Sequence, residues 1–374
     1  MNRETFEKLV SDRENDSYRI CEKLTSKPVV VVPAGRLYKH SIRTLMDWDV
    51  SVIGVGDRNP ESSLGNGKPW NYQGVDFIVE KTDELVKKHG NSVHYVVYSS
   101  YYRDEITKEL LDYGINEYNI YTIPVIMGDL VPKHSFARSL EIKKNFDEIY
   151  ESAQLLADEE SRDQLWELMS VFCARTPVWL NKAASEEYFN TPYIALTQDE
   201  VFVDAGMYDG KTTERFVELC PKYKAIYGIE ANPDSFEHIT DNLKNYRDLH
   251  LYNNAISDAS VELRFKRKGY GPEGAHLAAD GELVVKGITG DELGIFPTFI
   301  KFDIEGAESA ALRGFQATIR KCRPKMAVSA YHSLEDHWKL IKQIKEICPD
   351  YKIHLIHHYG YEVMYGTVLY ANCD

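Results

Sequence analysis

The chain has 374 residues, a formal net charge of −14, and side chains that are 43% hydrophobic and 27% charged. That balance is ordinary for a folded globular protein, and at ~100–200 residues per domain the length predicts two domains, each able to bury its own core. The acidic excess argues against nonspecific attraction to nucleic-acid phosphates or anionic membranes, so neither is expected as a partner.

No apolar run approaches the ~18 residues needed to span a bilayer. The opening MNRETFEKLVSDREND is charged, lacks the apolar middle of a signal peptide, and predicts a short amphipathic helix within residues 1–26. The cysteines (Cys21, Cys173, Cys220, Cys322, Cys348, Cys373) form no Cys-x-x-Cys pair, so neither a zinc cluster nor a disulfide framework is expected, and a cytoplasmic location fits. The basic cluster Lys266–Lys268 reads as a solvated loop.

Lys27–Pro33, Trp48–Gly56, Ser92–Ser99 and Asn119–Pro124 are short, β-branched apolar runs, separated by helical patterns at Tyr38–Asp47 and Thr82–His89. Continuous apolar strands alternating with helices predict a parallel sheet covered on both faces, so residues 27–130 read as a small Rossmann-like α/β domain. Residues 131–198 show helical period, with Leu140, Ile142, Phe146, Ile149 and Tyr150 at three- and four-residue spacing. They predict a helical connector and a surface for a homo-oligomer.

A second series opens at Val201. Strands are expected at Val201–Ala205, Ala225–Glu230, Leu251–Ala255, Thr298–Asp303, Met326–Tyr331, Lys352–His357 and Glu362–Ala371, with helices between most of them. Asn232 and Pro233 predict the start of one helix, and the Ser333/Asp336 spacing the start of another. Only His358–Tyr361 joins the last two strands, which favours an antiparallel hairpin. Seven strands ending so, over residues 199–374, have the outline of a doubly wound class I methyltransferase sheet.

VFVDAGMYDGKTTERF (Val201–Phe216) reads as strand, turn and helix. Gly206 and Gly210 allow a tight bend and a close ligand approach, and the helix N-terminus attracts a carboxylate. The glycines are four apart, unlike the Gly-x-Gly-x-x-Gly dinucleotide fingerprint. Asp204 ends the strand, where it can orient an amino group. Glu230, in YGIEANP, ends the next strand, where an acid can accept both ribose hydroxyls. Asn254, Ala255 and Ser257, in LYNNAISD, are placed to border an adenine. Together these point to S-adenosylmethionine (SAM) as cofactor.

VFVDAGMYDGKTTERF, YGIEANP, NNAISD and FIKFDIEGAESAALRGF together resemble the FkbM family of SAM-dependent methyltransferases, as does the closing YGTVLYA. The likeness covers about Asp199–Ala371 and is most specific over Phe299–Phe315, which carries a Lys-x-Asp-x-Glu-Gly-Ala-Glu pattern. The resemblance implies O-methylation of a sugar, glycan or polyketide hydroxyl, with the segment Lys266–Gly290 shaping the substrate pocket.

Methyl transfer from a sulfonium needs the acceptor oxygen in line, water excluded and a base for the hydroxyl proton. Asp303, Glu305 and His332 are the candidate catalytic residues, and His332 has the best unperturbed pKa for a base. Asp303 also borders the cofactor. Asp303, Glu305 and His332 form, alternatively, a divalent-metal set. Glu308 either contacts substrate, caps a helix, or pairs with Arg313 or Lys301. His357 and His358, at the hairpin, are candidate sugar contacts beside Tyr359.

In the N-terminal domain, PAGRLYKHS (Pro33–Ser41) follows a strand and opens a helix, but Pro33 and Tyr38 stand where glycines would bind a dinucleotide. Asp57 ends the second strand, at a ribose-binding position. The domain reads as a degenerate nucleotide- or sugar-binding unit. Two other functions remain open. A nucleotide-sugar oxidoreductase or epimerase would use this domain, although tyrosines 98, 101 and 102 lack a lysine four residues on. A catalytically silent SAM-binding interaction module is the other.

Overall fold

The computed structural model describes residues 1–35, 38–61, 68–99, 102–122, 139–173, 186–189, 192–266, 276–277, 281–358 and 365–373. The chain divides into two compact units. The first holds Met1–Phe146, Trp166–Lys182 and Tyr359–Met364, and the second Asp147–Leu165, Ala183–His358 and Tyr365–Asp374. The stretch read as a connector, which holds helices α5 (Phe146–Gln154) and α6 (Glu159–Cys173), is thus shared between units. Parts of it, with Pro124, Tyr101, Arg267–Lys268 and Tyr359, lie outside the described residues.

The first unit opens with helix α1 (Arg3–Thr25), capped by the Asn2 side chain. Its sheet has five parallel strands: β1 (Val29–Val32), β2 (Val52–Asp57), β5 (Val79–Lys81), β6 (His94–Val97) and β7 (Ile120–Thr122). Their order is β5-β2-β1-β6-β7, and a small hairpin of β3 (Trp70–Tyr72) and β4 (Val75–Phe77) stands apart. Alternation along β1 explains the layering, because successive side chains face opposite ways. Val29 and Val31 join a core with Tyr38, Ile42 and Leu45 of α2 (Tyr38–Asp47). Val30 and Val32 join another with Leu85 of α3 (Thr82–His89) and Ile106 and Leu110 of α4 (Arg103–Asp112). Asp57 is turned back to the backbone, accepting from Ala34 N at 3.1 Å and Asn59 N at 2.9 Å.

The second unit carries a seven-stranded sheet: β8 (Val201–Ala205), β9 (Ala225–Ile229), β10 (Leu249–Tyr252), β15 (Phe299–Phe302), β16 (Lys325–Ser329), β17 (Lys352–His357) and β18 (Thr367–Asn372). The order is β10-β9-β8-β15-β16-β18-β17. Only β18 runs against the direction of the other six strands. Phe202 and Phe299 stack on one face at 5.2 Å between ring centroids, with Phe216 of α7 (Lys211–Leu219) stacked on Phe202. On β15, Phe302 sets its edge to Phe315. Large aromatic rings fill this space because each removes much apolar surface from water. Asn232 caps α8 (Pro233–Leu243), with Pro233 in its first turn. Ser333 and Asp336 exchange hydrogen bonds ahead of α11 (Asp336–Ile347), which follows α9 (Glu308–Gly314) and α10 (Gln316–Cys322).

One expected strand is displaced. Leu251–Ala255 was expected as one element, but β10 ends at Tyr252. Ala255–Ile256 forms β11 in a separate four-stranded sheet with β14 (Leu283–Ile288), β12 (Glu262–Lys266) and β13 (His276–Leu277). That sheet occupies the described part of the glycine-rich segment.

Candidate active site

In the large sheet, chain order runs from β8 to β9 and β10 on one side and from β15 to β16 on the other, so the order reverses between β8 and β15. Such a switch point leaves a crevice beyond the carboxyl ends of the strands, where open α/β sheets bind ligands. Gly206 to Gly210 after β8, Glu230 after β9, Asp303 to Glu308 after β15 and Tyr331–His332 after β16 all lie at those ends.

The turn after β8 depends on its glycines. Gly206 and Gly210 have φ of +88° and +83°, a region that side chains with a Cβ avoid. A Cβ on Gly206 would collide with the Asp303 carbonyl oxygen. Gly210 is the N-cap of α7 and offers no side chain to its amides.

Glu230 is held by two backbone amides. Tyr208 N reaches one oxygen at 2.9 Å and Asn232 N the other at 2.7 Å. Burial pushes its pKa up, and the two amides pull the other way. Each oxygen accepts one bond among the described residues and has a second lone pair to offer. Asn253 Nδ2 bonds the Glu230 carbonyl at 2.9 Å, whereas Asn254 turns to Lys286 O at 3.1 Å. Ala255 is buried in β11. Asn254 and Ala255 thus sit where the chain passes into the small sheet.

Asp204 is fully buried, with both oxygens engaged. Lys301 Nζ meets one at 3.0 Å and Thr213 Oγ1 donates to the other at 2.8 Å. Lys301 is 2% exposed and also donates to Gly206 O at 2.6 Å. Burial alone would lower the Lys301 pKa, but Asp204 and Asp303 carry it above the usual lysine value. Asp204 therefore holds the floor of the turn, and the amino-orienting role expected of it meets a carboxylate already satisfied by protein groups. Lys301 went unnoticed as a site residue, yet a lysine inside the apolar run FIKF of a central strand is itself a signal of a buried partner.

Asp303 collects two tyrosine hydroxyls. Tyr331 OH donates to Oδ1 and Tyr188 OH to Oδ2, both at 2.9 Å. Burial would raise its pKa, but Lys301, His332 and the two hydroxyls hold it below the usual carboxylate range. Burial in turn drives both tyrosines well above their ordinary values, so they stay protonated donors. Tyr188 lies far from Asp303 in the chain, and no local pattern marks it.

His332 lies among three acids. Its Nδ1 is 3.0 Å from Glu308, and its Nε2 is 3.5 Å from Asp303 and 3.9 Å from Glu305. Burial pulls its pKa down, but Glu308, Asp303 and Glu305 together push it up to about 9. The near-neutral pKa that recommended His332 as a base is therefore absent: at neutral pH the imidazole already carries its proton. Glu305 occupies a left-handed turn with φ of +57°, followed by Gly306, and its side chain is 55% exposed. Glu308 is 1% exposed and accepts Ile304 N at 2.8 Å, so it closes its own turn as well as facing His332, and pairs with neither Arg313 nor Lys301. One ligand atom from each of Asp303, Glu308 and His332 falls within 4.8 Å of the others. In this compact set Glu308 stands where Glu305 was expected.

His357 and His358 are core residues. They are 0% and 3% exposed, with His357 Nδ1 2.9 Å from Thr367 Oγ1 and His358 Nε2 2.7 Å from Tyr370 OH. Their expected place on a ligand-facing hairpin does not hold, because β17 runs through His357 and its pairing with β18 draws both rings inward.

Residues 204–363 match the family described as the Methyltransferase FkbM domain. That segment of the chain is similar to FkbM methyltransferase domains. A crystal structure of Methyltransferase FkbM from Methylobacillus flagellatus KT shares the fold, with a TM-score of 0.65, 19% identity and 98% of each chain covered. The hexuronic acid methyltransferase AglP of Haloferax volcanii is 27% identical over 124 residues, which are 31% of this chain and 50% of that protein. The chain thus spans about half the length of the curated relative it matches.

Proposed function

We propose that the FkbM-like domain transfers the methyl group of SAM to a hydroxyl of a sugar or glycan. The observation that carries this reading is Glu230, fixed by two amides at the carboxyl end of β9 with a lone pair on each oxygen turned to no protein group among the described residues. That arrangement suits a vicinal diol, as on a ribose. Gly210 brings no side chain to the α7 N-terminus, and although Asp209 Oδ1 accepts from Lys211 N at 3.1 Å, the other first-turn amides suit a carboxylate. Both features fit SAM, which when bound supplies an electrophilic methyl group. The likeness to the Haloferax hexuronic acid methyltransferase supports a sugar as acceptor.

The acids after β15 then receive the acceptor. Asp303 has each oxygen occupied by a tyrosine hydroxyl, and Glu308 is enclosed. Glu305 is the exposed acid of the cluster, and we assign it the hydroxyl proton. His332, 3.5 Å from Asp303 and 3.9 Å from Glu305, holds these acids together beside the acceptor oxygen. Incubating the protein with methyl-labelled SAM and a panel of hexuronic acids, neutral sugars and glycans tests the reading. Label is expected in a sugar product. Transfer to none of these, with SAM bound, would move the acceptor to another chemical class.

A further inference from the structure

We infer that Asp303, Glu308 and His332 form a binding site for one divalent cation of the Mn²⁺ or Mg²⁺ kind. Their ligand atoms lie within 4.8 Å of one another. Closeness of acids and a histidine is common without an ion, so a second observation decides. Glu308 is 1% exposed, its Oε1 is taken by the Ile304 amide, and its Oε2 has no hydrogen-bond partner among the described residues. The neighbouring His332 Nδ1 is in the same condition: it lies 3.0 Å from Glu308 Oε1, yet out of line for a hydrogen bond. Buried polar atoms are nearly always satisfied, and an enclosed carboxylate oxygen is costly unless positive charge meets it. Two such atoms on adjacent side chains, beside a third acid, describe a place built for a cation.

The donor set narrows the kind. Two carboxylates and one imidazole give a mixed oxygen–nitrogen site, which suits Mn²⁺ and admits Mg²⁺, and the ion enters by displacing the proton of the His332 ring. The ligands are also held. The Ile304 amide fixes Glu308, and the Tyr188 and Tyr331 hydroxyls fix Asp303, an outer support of the sort that sets ligand orientation. Glu305, 3.9 Å from the imidazole, stays outside the set. The cation would offset the acids that otherwise repel an anionic acceptor such as a sugar acid. That use rests on the methyl-transfer reading, whereas binding of the ion does not.

The test is a titration of the full chain with Mn²⁺, followed by the electron paramagnetic resonance signal of the free ion, with SAM affinity measured calorimetrically on the same samples. One ion per chain is expected, displaced by excess Mg²⁺. Loss of outer supports alone costs about ten- to a hundredfold in affinity, so Glu308→Gln is expected to weaken Mn²⁺ at least that much. His332→Asn supplies the same test should Glu308→Gln fail to fold. An undiminished free-ion signal at millimolar Mn²⁺, or an unchanged curve in a folded variant, overturns the site. Mn²⁺ bound as expected without any SAM binding would keep the site and remove the methyl-transfer reading.

Discussion

Under the proposed function, Glu230 at the carboxyl end of β9 is the ribose contact. Its carboxylate is held by the Tyr208 and Asn232 amides, so it needs no reorganisation to accept further hydrogen bonds. Charged hydrogen bonds of this type contribute about 1–3 kcal/mol. Glu230→Ala is expected to weaken SAM by that amount in calorimetry, and unchanged affinity would place the ribose elsewhere. Individual residues also show what was legible in advance. Asp303, Glu305, Glu308 and His332 could be read because a short spacing and the ends of expected strands brought them together. Tyr188 could not, since only the tertiary fold carries its hydroxyl to Asp303. The protonation of His332 was equally hidden, because it depends on three acids whose distances no spacing reveals. His357 and His358 misled for a simpler reason. They fall where β17 ends, and which way such rings turn depends on the strand paired beside them.

At the scale of elements, the junction of β8 and β15 matters most. Asp204 faces Lys301 across that pairing, and Lys301 also holds the Gly206 carbonyl. A single buried ion pair therefore sets the path of the glycine turn. Breaking a buried pair by removing one partner costs about 3–5 kcal/mol, because the remaining charge stays enclosed. Lys301→Met is expected to lower stability by about that much in urea denaturation, and adding Asp204→Asn should recover part of it. A Lys301→Met protein as stable as the parent would refute this account of the turn. Apolar runs and turn residues marked β8, β9, β15 and β16 to within a few residues, because a buried parallel strand has no polar face to interrupt it. The small sheet of β11 to β14 was not foreseen. Two of its strands, β11 and β13, have only two residues each, and Gly287 interrupts the apolar residues of β14, so they carry no continuous apolar run.

As a whole molecule, the chain divides into two compact units, and the division crosses the stretch read as a helical connector. Residues 147–165 belong with the second unit, where Trp338 Nε1 bonds Glu148 at 3.2 Å and Leu355 N bonds Ser161 at 3.0 Å. No spacing announces such contacts between segments nearly two hundred positions apart. Among the described residues no helix is long and apolar enough to cross a membrane. The foot of the large sheet is tied by Glu200, which is fully buried and bonded to Thr197, Thr298 and Lys325 at the entries to β8, β15 and β16. Burial would raise the Glu200 pKa, but Lys325 and these hydrogen bonds hold it below its ordinary value. A depressed carboxylate adds stability above its unfolded pKa, near 4.3, and loses it as pH falls through the folded value. Thermal unfolding should therefore lose stability steeply below about pH 4. Glu200→Gln should be less stable at neutral pH by about 1–3 kcal/mol, with a flatter acid limb. Parallel pH profiles in parent and variant would contradict this.

We propose that the crevice bounded by Gly206, Glu230 and Asp303 binds SAM. Isothermal calorimetry of the full chain against SAM, S-adenosylhomocysteine and NAD tests this. Saturable binding of SAM and S-adenosylhomocysteine is expected, and none of NAD. Tight binding of NAD with no heat from either sulfur compound would contradict it.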